Sequence, residues 1–293
     1  MTTHEEQILD KLLCDLPGVR ITECAGSLPV IDIKNGHGAG RILVQGALLL
    51  EWAPIDQAPV VWLSPKAKFI PGKAPRGGVP ICWPWFGPHE IEPGFPAHGI
   101  ARAAQWELTE ATLTDDGDHR LAFTLIRDEA NCHFWPHDTP LTLRYTLGAV
   151  LEIELVTRNQ SPHPVTISEA LHTYFGVGDI RETRVKGLDG SEYIDKAAEG
   201  QRFHQSGDVT FSGETDRVYL GTTADCMIED PILQRVIRIE KQGSRSTVIW
   251  NPWAEKAEKM GDYTENGYQH MVCVESGNAL YDLGRLHDAR AAL

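Results

Sequence analysis

The sequence has little of what nucleic-acid binders and membrane proteins need. Its 293 residues include 27 Lys and Arg against 41 Asp and Glu, a formal net charge of −14. A general nucleic-acid binder needs a basic face, so this charge disfavours one. No stretch approaches the roughly 18 apolar residues of a membrane-spanning helix. We therefore expect no nucleic-acid partner and no membrane span. A small phosphorylated ligand stays compatible with the charge, because two or three local arginines can bind it.

Cysteine is scattered and never forms a CxxC pair. The six cysteines stand at 14, 24, 82, 132, 226 and 273. Neither a structural zinc site nor a dense disulfide framework is expected from this spacing. The first residues, MTTHEEQILDKLL, are acidic and lack the basic-then-apolar order of a secretory signal. We therefore expect reduced thiols in a cytoplasmic protein.

The familiar nucleotide-binding and hydrolase signatures are also missing. The sequence contains no GxxxxGK[ST], no HExxH and no GxSxG. GHGAG at 36–40 is glycine-rich, but no helical pattern follows it, which favours a hairpin turn. With no ligand cluster and no dinucleotide fingerprint, we expect neither a metal nor another cofactor.

Helical periodicity is confined to residues 4–15, where Ile8, Leu9, Leu12 and Leu13 share one side of a short helix. Elsewhere the pattern favours strands. Many short strands with few helices indicate an all-β, antiparallel sandwich. No linker or repeat interrupts the chain, which predicts a single domain over 1–293. The strand-like runs lie at 41–52, 119–129, 141–150, 151–159, 165–177, 208–213, 235–242 and 246–251.

Residues 71–96 differ from these runs because they are rich in proline, glycine and aromatic residues. Proline removes a backbone donor and fixes φ, so the segment cannot be a central strand. A long ordered loop of this kind forms a packed lid or a binding wall. Alternatively, it only covers an open end of the sandwich.

Several ionisable residues sit within apolar or glycine-rich sequence. Glu275 follows Met-Val-Cys-Val, where a buried carboxylate is costly unless it is paired or functional. His172 lies between Ala-Leu and Tyr-Phe, and His98 lies in a turn before a glycine. Arg76 in PRGG and Arg102 in HGIAR complete the set. Taken singly, each has a structural alternative: a core histidine, or an arginine paired with an acid.

Taken together, the segments that contain these five residues and two further segments, at 214–220 and 249–263, resemble the hexose-6-phosphate mutarotases, or glucose-6-phosphate 1-epimerases. They occur in that family's order from about residue 40 to 276. The resemblance implies a galactose-mutarotase-like supersandwich, in agreement with the many strands. The matching segments are PRGGVPICWPWFGP (75–88), HGIAR (98–102), ALHTYFGVGDI (170–180), ETDRVYL (214–220), IWNPWAEKAEKMGDY (249–263) and CVES (273–276).

The resemblance also implies residue roles. Glu275 matches the family's general base and His172 its general acid. His98 matches a pocket histidine, and Asp216 matches a carboxylate that binds sugar hydroxyls. The remaining matches are Arg76 and Arg102, which correspond to the arginines that hold the 6-phosphate, and Gln45, a weaker candidate for a pocket contact.

The chemistry of anomer exchange agrees with these roles. The C1 hydroxyl must lose a proton while the ring oxygen gains one, and a carboxylate and a histidine serve this at neutral pH without metal or redox help. Two other functions stay open: an aldose 1-epimerase acting on free sugars, and a noncatalytic carbohydrate-binding module. The sequence leaves the preferred hexose 6-phosphate open, and we expect a monomer.

Residues 278–293 depart from the resemblance. Family members usually continue to a closing strand after the CVES segment. Here NALYDLGRLHDARAAL favours a helix. This pattern predicts either a missing last strand or a shortened chain.

Overall fold

The computed structural model describes residues 3–279, 284–286 and 291–292, with side chains over 7–279. Three helices and four short 3₁₀ segments occur in this part of the chain. The helices are α1 (Thr3–Leu13), α2 (Glu129–Phe134) and α3 (Trp253–Met260), and the 3₁₀ segments are Gln45–Ala47, Ala101–Ala103, Lys196–Ala198 and Gly267–His270.

Strands make up most of the rest. Those before residue 160 are β1 (Val19–Cys24), β2 (Leu28–Lys34), β3 (Gly38–Leu43), β4 (Leu48–Pro54), β5 (Ile81–Cys82), β6 (Trp106–Leu113), β7 (His119–Leu125), β8 (Leu141–Leu147) and β9 (Leu151–Thr157). Those after it are β10 (Val165–Ile167), β11 (Glu169–Leu171), β12 (Tyr174–Gly176), β13 (Arg184–Lys186), β14 (Glu192–Asp195), β15 (Gln201–His204), β16 (Thr215–Tyr219), β17 (Cys226–Asp230), β18 (Arg235–Ile239), β19 (Ser246–Asn251), β20 (Met271–Asn278), β21 (Gly284–Leu286) and β22 (Ala291–Ala292).

These strands form antiparallel sheets, which confirms the predicted all-β class. The largest sheet runs in the order β15-β14-β16-β19-β20-β11-β5, and β12 also pairs with β20. A five-stranded sheet has the order β22-β9-β8-β7-β6, and a four-stranded sheet has the order β1-β2-β3-β4. A three-stranded sheet, β13-β17-β18, and the pair β10-β21 complete the fold.

Strand β20 shows how the large sheet separates two environments. Successive side chains of a strand point to opposite faces. Val272 and Val274 belong to the largest cluster of buried apolar side chains, which also draws on the five-stranded sheet. Met271 and Cys273 belong to a second, smaller cluster on the other face. Glu275 shares the parity of Cys273, so it also projects from this second face, which we call the site face.

The N-terminal helix agrees with its prediction. Leu9 and Leu13 are buried in the largest cluster, and Leu12 packs against it. Four residues apart, Leu9 and Leu13 lie on one side of the helix, where they contact the core. A hairpin turn, predicted at 36–40, joins β2 to β3 over residues 35–37, and residues 38–40 already belong to β3.

Three sequence-based expectations are wrong in detail. The strand expected over 41–52 is split by Gln45–Ala47, where Gly46 has a φ of 76° that interrupts extended backbone. Residues 208–213 form only an isolated bridge from Val209 to Val185. The helix expected over 278–293 is replaced, within the described residues, by β21 and β22, which pair with β10 and β9. Sheet hydrogen bonding thus overrides the helical pattern of that segment.

The proline-rich segment contains one short strand, β5, at the edge of the large sheet. The rest of residues 71–96 is irregular, yet Trp83, Trp85 and Phe86 are buried. No helix in the described part of the chain is long and apolar enough to cross a membrane.

Candidate active site

Glu275 and His172 meet on the site face. Strands β11 and β12 both pair with β20, with Leu171 opposite Ser276 and Tyr174 opposite Cys273. The two residues between these strands therefore pass beside Glu275. Nε2 of His172 lies 3.4 Å from Oε1 of Glu275. The topology of the sheet thus brings together two residues from distant parts of the chain.

We call His172 and Glu275 the dyad. Each of them has a polar atom without a hydrogen-bond partner among the described residues. The Glu275 side chain is 1% exposed and that of His172 is 12% exposed. Oε2 of Glu275 and Nδ1 of His172 are buried and make no hydrogen bond with any described residue. Buried polar atoms are nearly always paired, so each orphan calls for an explanation. Each residue of the dyad thus keeps one polar atom that the described residues leave without a partner.

The PRGG motif supports the backbone around His172. The His172 N–H donates to the Pro80 carbonyl and the Tyr174 N–H donates to the Gly78 carbonyl, each at 3.0 Å. Gly78 has a φ of 73°, and a Cβ there would lie 2.4 Å from the Leu49 carbonyl oxygen. Only glycine permits this approach.

Aromatic side chains fix the imidazole plane of His172. The Tyr174 ring stacks on it at a centroid distance of 5.0 Å and an interplanar angle of 12°. The indole of Trp250 meets it edge-on at 5.9 Å. These contacts restrain the imidazole plane beside Glu275.

Burial makes the charged forms of the dyad costly. It raises the pKa of the Glu275 carboxyl well above its usual value, and the charge of Asp216 raises it further, whereas Lys196 and Arg102 oppose the shift. Burial also lowers the pKa of His172 well below its usual value, and His98 and Arg102 lower it further. Burial therefore favours a neutral imidazole and a neutral carboxyl over an imidazolium and a carboxylate.

His98 lies beside His172, with ring centroids 5.8 Å apart. Burial, assisted by the charges of Arg102 and Lys196, lowers the pKa of His98 to about 3, so the ring is neutral at physiological pH. The Gly87 N–H donates to Nδ1 of His98 at 3.3 Å. We therefore assign the ring proton to Nε2, which makes this nitrogen a hydrogen-bond donor.

Arg102 brings an unpaired positive charge to the dyad. Its Nη2 donates to the Ala97 carbonyl at 2.7 Å, and it forms no ion pair within the described part of the chain. Its charge lowers the pKa values of His172, His98 and Glu275 alike. This arrangement agrees with the predicted anion-binding role.

Arg76, in contrast, is already engaged. Its Nε lies 3.2 Å from both carboxylate oxygens of Asp262, and its Nη1 donates to the Tyr174 hydroxyl at 2.9 Å. Its Nη2 has no acceptor among the described residues. The arginine therefore supports Tyr174 behind His172, and only Nη2 is free for a ligand.

Asp216 projects from the site face two strands from Glu275. It pairs with Trp250 of β19, which in turn pairs with Cys273 of β20. Burial raises the pKa of the Asp216 carboxyl, while the charges of Lys196 and Lys256 oppose the shift. Nζ of Lys256 lies 4.0 Å from Oδ2 of Asp216. The carboxylate thus retains acceptor capacity for sugar hydroxyls.

Gln45 is placed apart from this group. Its Nε2 donates to the carbonyls of Ile70 and Lys73, at 3.3 and 3.0 Å, and its Oε1 accepts from the Gly72 N–H at 2.7 Å. The amide therefore holds the 70–73 turn. Its assignment to the sugar pocket stays a prediction.

Several neighbours of the dyad have no role that is predicted from the sequence. Lys196 acts on the pKa of Glu275, but it lies in a polar stretch, EYIDKAAEG, that carries no recognisable signal. Asp262 lies within the matched segment 249–263, yet only its proximity to Arg76 reveals its role. Contacts between distant segments are not readable from local pattern.

Cys273 adds a third donor atom to the dyad. Its Sγ, a His172 nitrogen and a Glu275 oxygen lie within 4.8 Å of one another. Metals bind the thiolate rather than the thiol. Burial raises the pKa of the Cys273 thiol well above its usual value, and the charge of Glu275 raises it further. The set therefore favours proton transfer over metal binding.

A cavity elsewhere on the molecule has no part in this arrangement. It has a volume of about 580 Å³, and Glu182, Arg184, Asp230 and Arg235 are among its lining residues. None of the predicted site residues lines it. The chemistry of the dyad identifies the site better than cavity size does.

Known proteins are similar to this chain over most of its length. The chain is 42% identical over 250 residues to a protein of Salmonella typhimurium, a match that covers 85% of this chain and 83% of that protein. It is 34% identical over 269 residues to one of Cenchrus ciliaris, covering 88% and 81%. Both carry the name "Putative glucose-6-phosphate 1-epimerase".

Solved structures give the same result. The crystal structure of a "putative mutarotase" from Salmonella typhimurium matches with a TM-score of 0.85 and 34% identity, over 94% of each chain. A galactose mutarotase-like protein from Clostridium acetobutylicum matches with a TM-score of 0.70 over 94% of this chain and 96% of that one, at 13% identity, which shows the shared fold alone.

The family model "Aldose 1-epimerase" matches residues 29–287. This range includes the dyad, the arginines and every other residue placed in the site above. The chain belongs to the aldose 1-epimerase family.

Proposed function

We propose that this protein is a glucose-6-phosphate 1-epimerase that interconverts the α and β anomers of a hexose 6-phosphate by acid–base ring opening. One observation carries the proposal. Nε2 of His172 and Oε1 of Glu275 lie 3.4 Å apart, and each residue keeps an unused buried polar atom. Binding alone requires no such acid–base pair.

The reaction moves two protons. Glu275, as the carboxylate, accepts the proton of the C1 hydroxyl, and His172, as the imidazolium, donates a proton to the ring oxygen. The bond between C1 and the ring oxygen breaks and leaves an open-chain aldehyde. Rotation about the C1–C2 bond exposes the other face of the carbonyl. Ring closure then returns both protons and leaves the opposite anomer.

The burial of the dyad favours the ring-opened state. Ring opening converts an imidazolium and a carboxylate into a neutral imidazole and a neutral carboxyl. These are the forms that burial favours for His172 and Glu275. The environment thus stabilises the protonation states that accompany the aldehyde.

Ring opening also requires His172 to begin as the imidazolium, and the substrate phosphate favours that form. Arg102 and Arg76 both lower the pKa of His172 through their charge, behind the effect of burial. A bound dianion offsets those charges and favours the imidazolium that begins the reaction. We assign the phosphate to Arg102 and to the free Nη2 of Arg76, because guanidinium groups match phosphate oxygens.

The sugar itself is held by neutral and anionic groups. Nε2 of His98 donates, and the carboxylate of Asp216 accepts, hydrogen bonds with sugar hydroxyls. The relatives named above support a sugar phosphate as the substrate. A single domain, a monomeric state and a cytoplasmic location are part of the same proposal.

An aldose 1-epimerase acting on free sugars is the second candidate. The ion pair between Arg76 and Asp262 favours it, because an arginine whose charge is balanced contributes less to binding a dianion.

NMR exchange spectroscopy on glucose 6-phosphate and on free galactose, with and without protein, tests the choice. We expect faster exchange of the phosphorylated sugar. Acceleration of galactose alone would establish the second candidate, and acceleration of neither would leave a binding module.

A further inference from the structure

We propose that Lys196 binds the phosphate dianion of the substrate together with Arg102. This inference rests on the proposed function and adds a recognition residue to it. Four observations support it: the unpaired charge of Lys196, its link to His98, the groups on which that charge acts and the engagement of Arg76.

The ammonium group of Lys196 is unpaired. The residue lies in the 3₁₀ segment Lys196–Ala198, whose start is fixed by Asp195, because its Oδ1 accepts from the N–H groups of Ala197 and Ala198 at 3.0 and 3.2 Å. Lys196 forms no ion pair within the described part of the chain. The lysine is half-buried, and its charge lowers the pKa of the Asp216 carboxyl against the effect of burial. Its position is thus defined while its charge is available.

Lys196 and Arg102 are each linked to His98 through one neighbouring residue. Nζ of Lys196 lies 4.6 Å from the centroid of the Phe86 ring. That ring meets the His98 ring edge-on at 5.0 Å. Arg102 donates to the carbonyl of Ala97, the residue before His98. One ring contact and one backbone contact therefore link the two cations to the same histidine.

The two charges also act on the same groups. Each lowers the pKa of His98, and each opposes the rise in the pKa of Glu275 that burial causes. A dianion placed between such cations gains from both, and the low-dielectric surroundings strengthen each interaction. A planar guanidinium fork and a compact ammonium group are complementary phosphate ligands.

Neighbouring cations are engaged elsewhere. Lys256 lies near Asp216 of β16, yet its Nζ contacts Oε1 of Glu214 at 2.6 Å. Arg76 is paired with Asp262 through Nε, which leaves only its Nη2 for the phosphate. Lys196 and Arg102 are thus cations near His98 that form no ion pair within the described residues, so a dianionic ligand can pair with both.

The test compares Lys196→Met with Lys256→Met. We expect Lys196→Met to lower kcat/KM for glucose 6-phosphate about tenfold to a hundredfold, as for a lost charge-assisted contact. Exchange of free glucose should change less than about threefold. Lys256→Met removes the same charge from a nearby, paired lysine and should change either rate less than about threefold. Lys196→Arg keeps the cation and should retain most activity.

Equal losses on both sugars would overturn the inference, because Lys196 would then serve the dyad or Asp216 instead of the phosphate. A Lys196→Met variant that behaves like Lys256→Met would overturn it as well. Thermal unfolding of each variant verifies that the fold persists.

Calorimetric binding of inorganic sulfate separates this inference from the proposed function. Sulfate is a dianion and needs no catalysis, so its affinity reports the site even if the wild-type protein fails to exchange glucose 6-phosphate. We expect the sulfate Kd to rise about tenfold in Lys196→Met and to stay nearly constant in Lys256→Met. Absence of sulfate binding to the wild type would count against Lys196 as an anion ligand.

Discussion

Arg76 donates a 2.9 Å hydrogen bond from Nη1 to the hydroxyl of Tyr174, whose ring stacks on His172. The arginine therefore supports the dyad from behind, in addition to the phosphate contact proposed for its Nη2. Its pairing with Asp262 anchors this support. Arg76 and Arg102, which look equivalent in the sequence, are consequently expected to behave differently when substituted.

Arg76→Met should lower exchange of both glucose 6-phosphate and free glucose, and it should reduce the free energy of unfolding by about 1–3 kcal/mol. The reason is that Asp262 and the Tyr174 hydroxyl lose charge-assisted partners in a partly buried setting. Arg102→Met should lower exchange of the phosphorylated sugar alone, by about tenfold to a hundredfold. NMR exchange and denaturant unfolding measure both effects. Identical behaviour of the two variants would contradict the distinction.

Glu275→Gln and His172→Ala should each reduce exchange by about 10²-fold to 10⁴-fold, the usual range for loss of general acid–base catalysis. An amide in place of the carboxylate cannot accept the C1 proton, and alanine cannot protonate the ring oxygen. Because burial disfavours the Glu275 carboxylate, Glu275→Gln should also leave the protein as stable as the wild type or more so. Near-normal exchange in either variant would remove that residue from its assigned role, provided that circular dichroism shows an intact fold.

Asp216→Asn should shift the acid limb of the kcat/KM profile to lower pH. Activity requires the Glu275 carboxylate and is lost as pH falls through the apparent pKa of the dyad. The negative charge of Asp216 raises the pKa of Glu275, so its removal makes the carboxylate easier to form. Lys196→Met should shift the limb in the opposite direction. The exposed Glu214→Gln serves as the control, since Glu214 is not among the groups that shift the pKa of Glu275. An unchanged limb in Asp216→Asn would show that the two carboxyls do not interact.

Exhaustive chelation should leave exchange unchanged, because the proposed chemistry uses only proton transfer. Cys273 stays a neutral thiol, since burial raises its pKa, and is a poor metal ligand in that form. The measurement is NMR exchange before and after dialysis against a chelator. Lost activity that a divalent ion restores would overturn this expectation.

The sequence predicts much of the site because a continuous apolar run is local information. The run Met-Val-Cys-Val before Glu275 identifies a buried strand, and the carboxylate at its end is conspicuous. The sequence does not predict that Asp262 balances Arg76, because the two residues are 186 positions apart. Lys196 escapes notice for the same reason, since its contact with Phe86, whose ring packs against His98, joins segments that are distant in sequence. The C-terminal strands escape prediction because their pairing partners, β9 and β10, lie far away in sequence.

Glu169 offers a test of buried charge away from the proposed chemistry. It lies in β11 opposite Asn278, is 2% exposed, and accepts a 3.4 Å hydrogen bond from Nδ2 of that residue. Burial raises the pKa of its carboxyl from 4.5 to about 7, and the hydrogen bond from Asn278 only partly opposes the shift.

Below pH 4.5 the Glu169 carboxyl is protonated in both the folded and the unfolded chain and costs nothing. Between pH 4.5 and about 7 the unfolded chain ionises while the folded protein keeps the proton, so stability falls with rising pH and the full cost is present above this window. Glu169→Gln should therefore raise the free energy of unfolding by about 3 kcal/mol at pH 8 and by little at pH 4.5. Denaturant unfolding at the two pH values measures this difference. Glu107→Gln, at an exposed position of β6, should show no such pH dependence. Equal effects of Glu169→Gln at both pH values would mean that the carboxyl does not change its protonation state on folding.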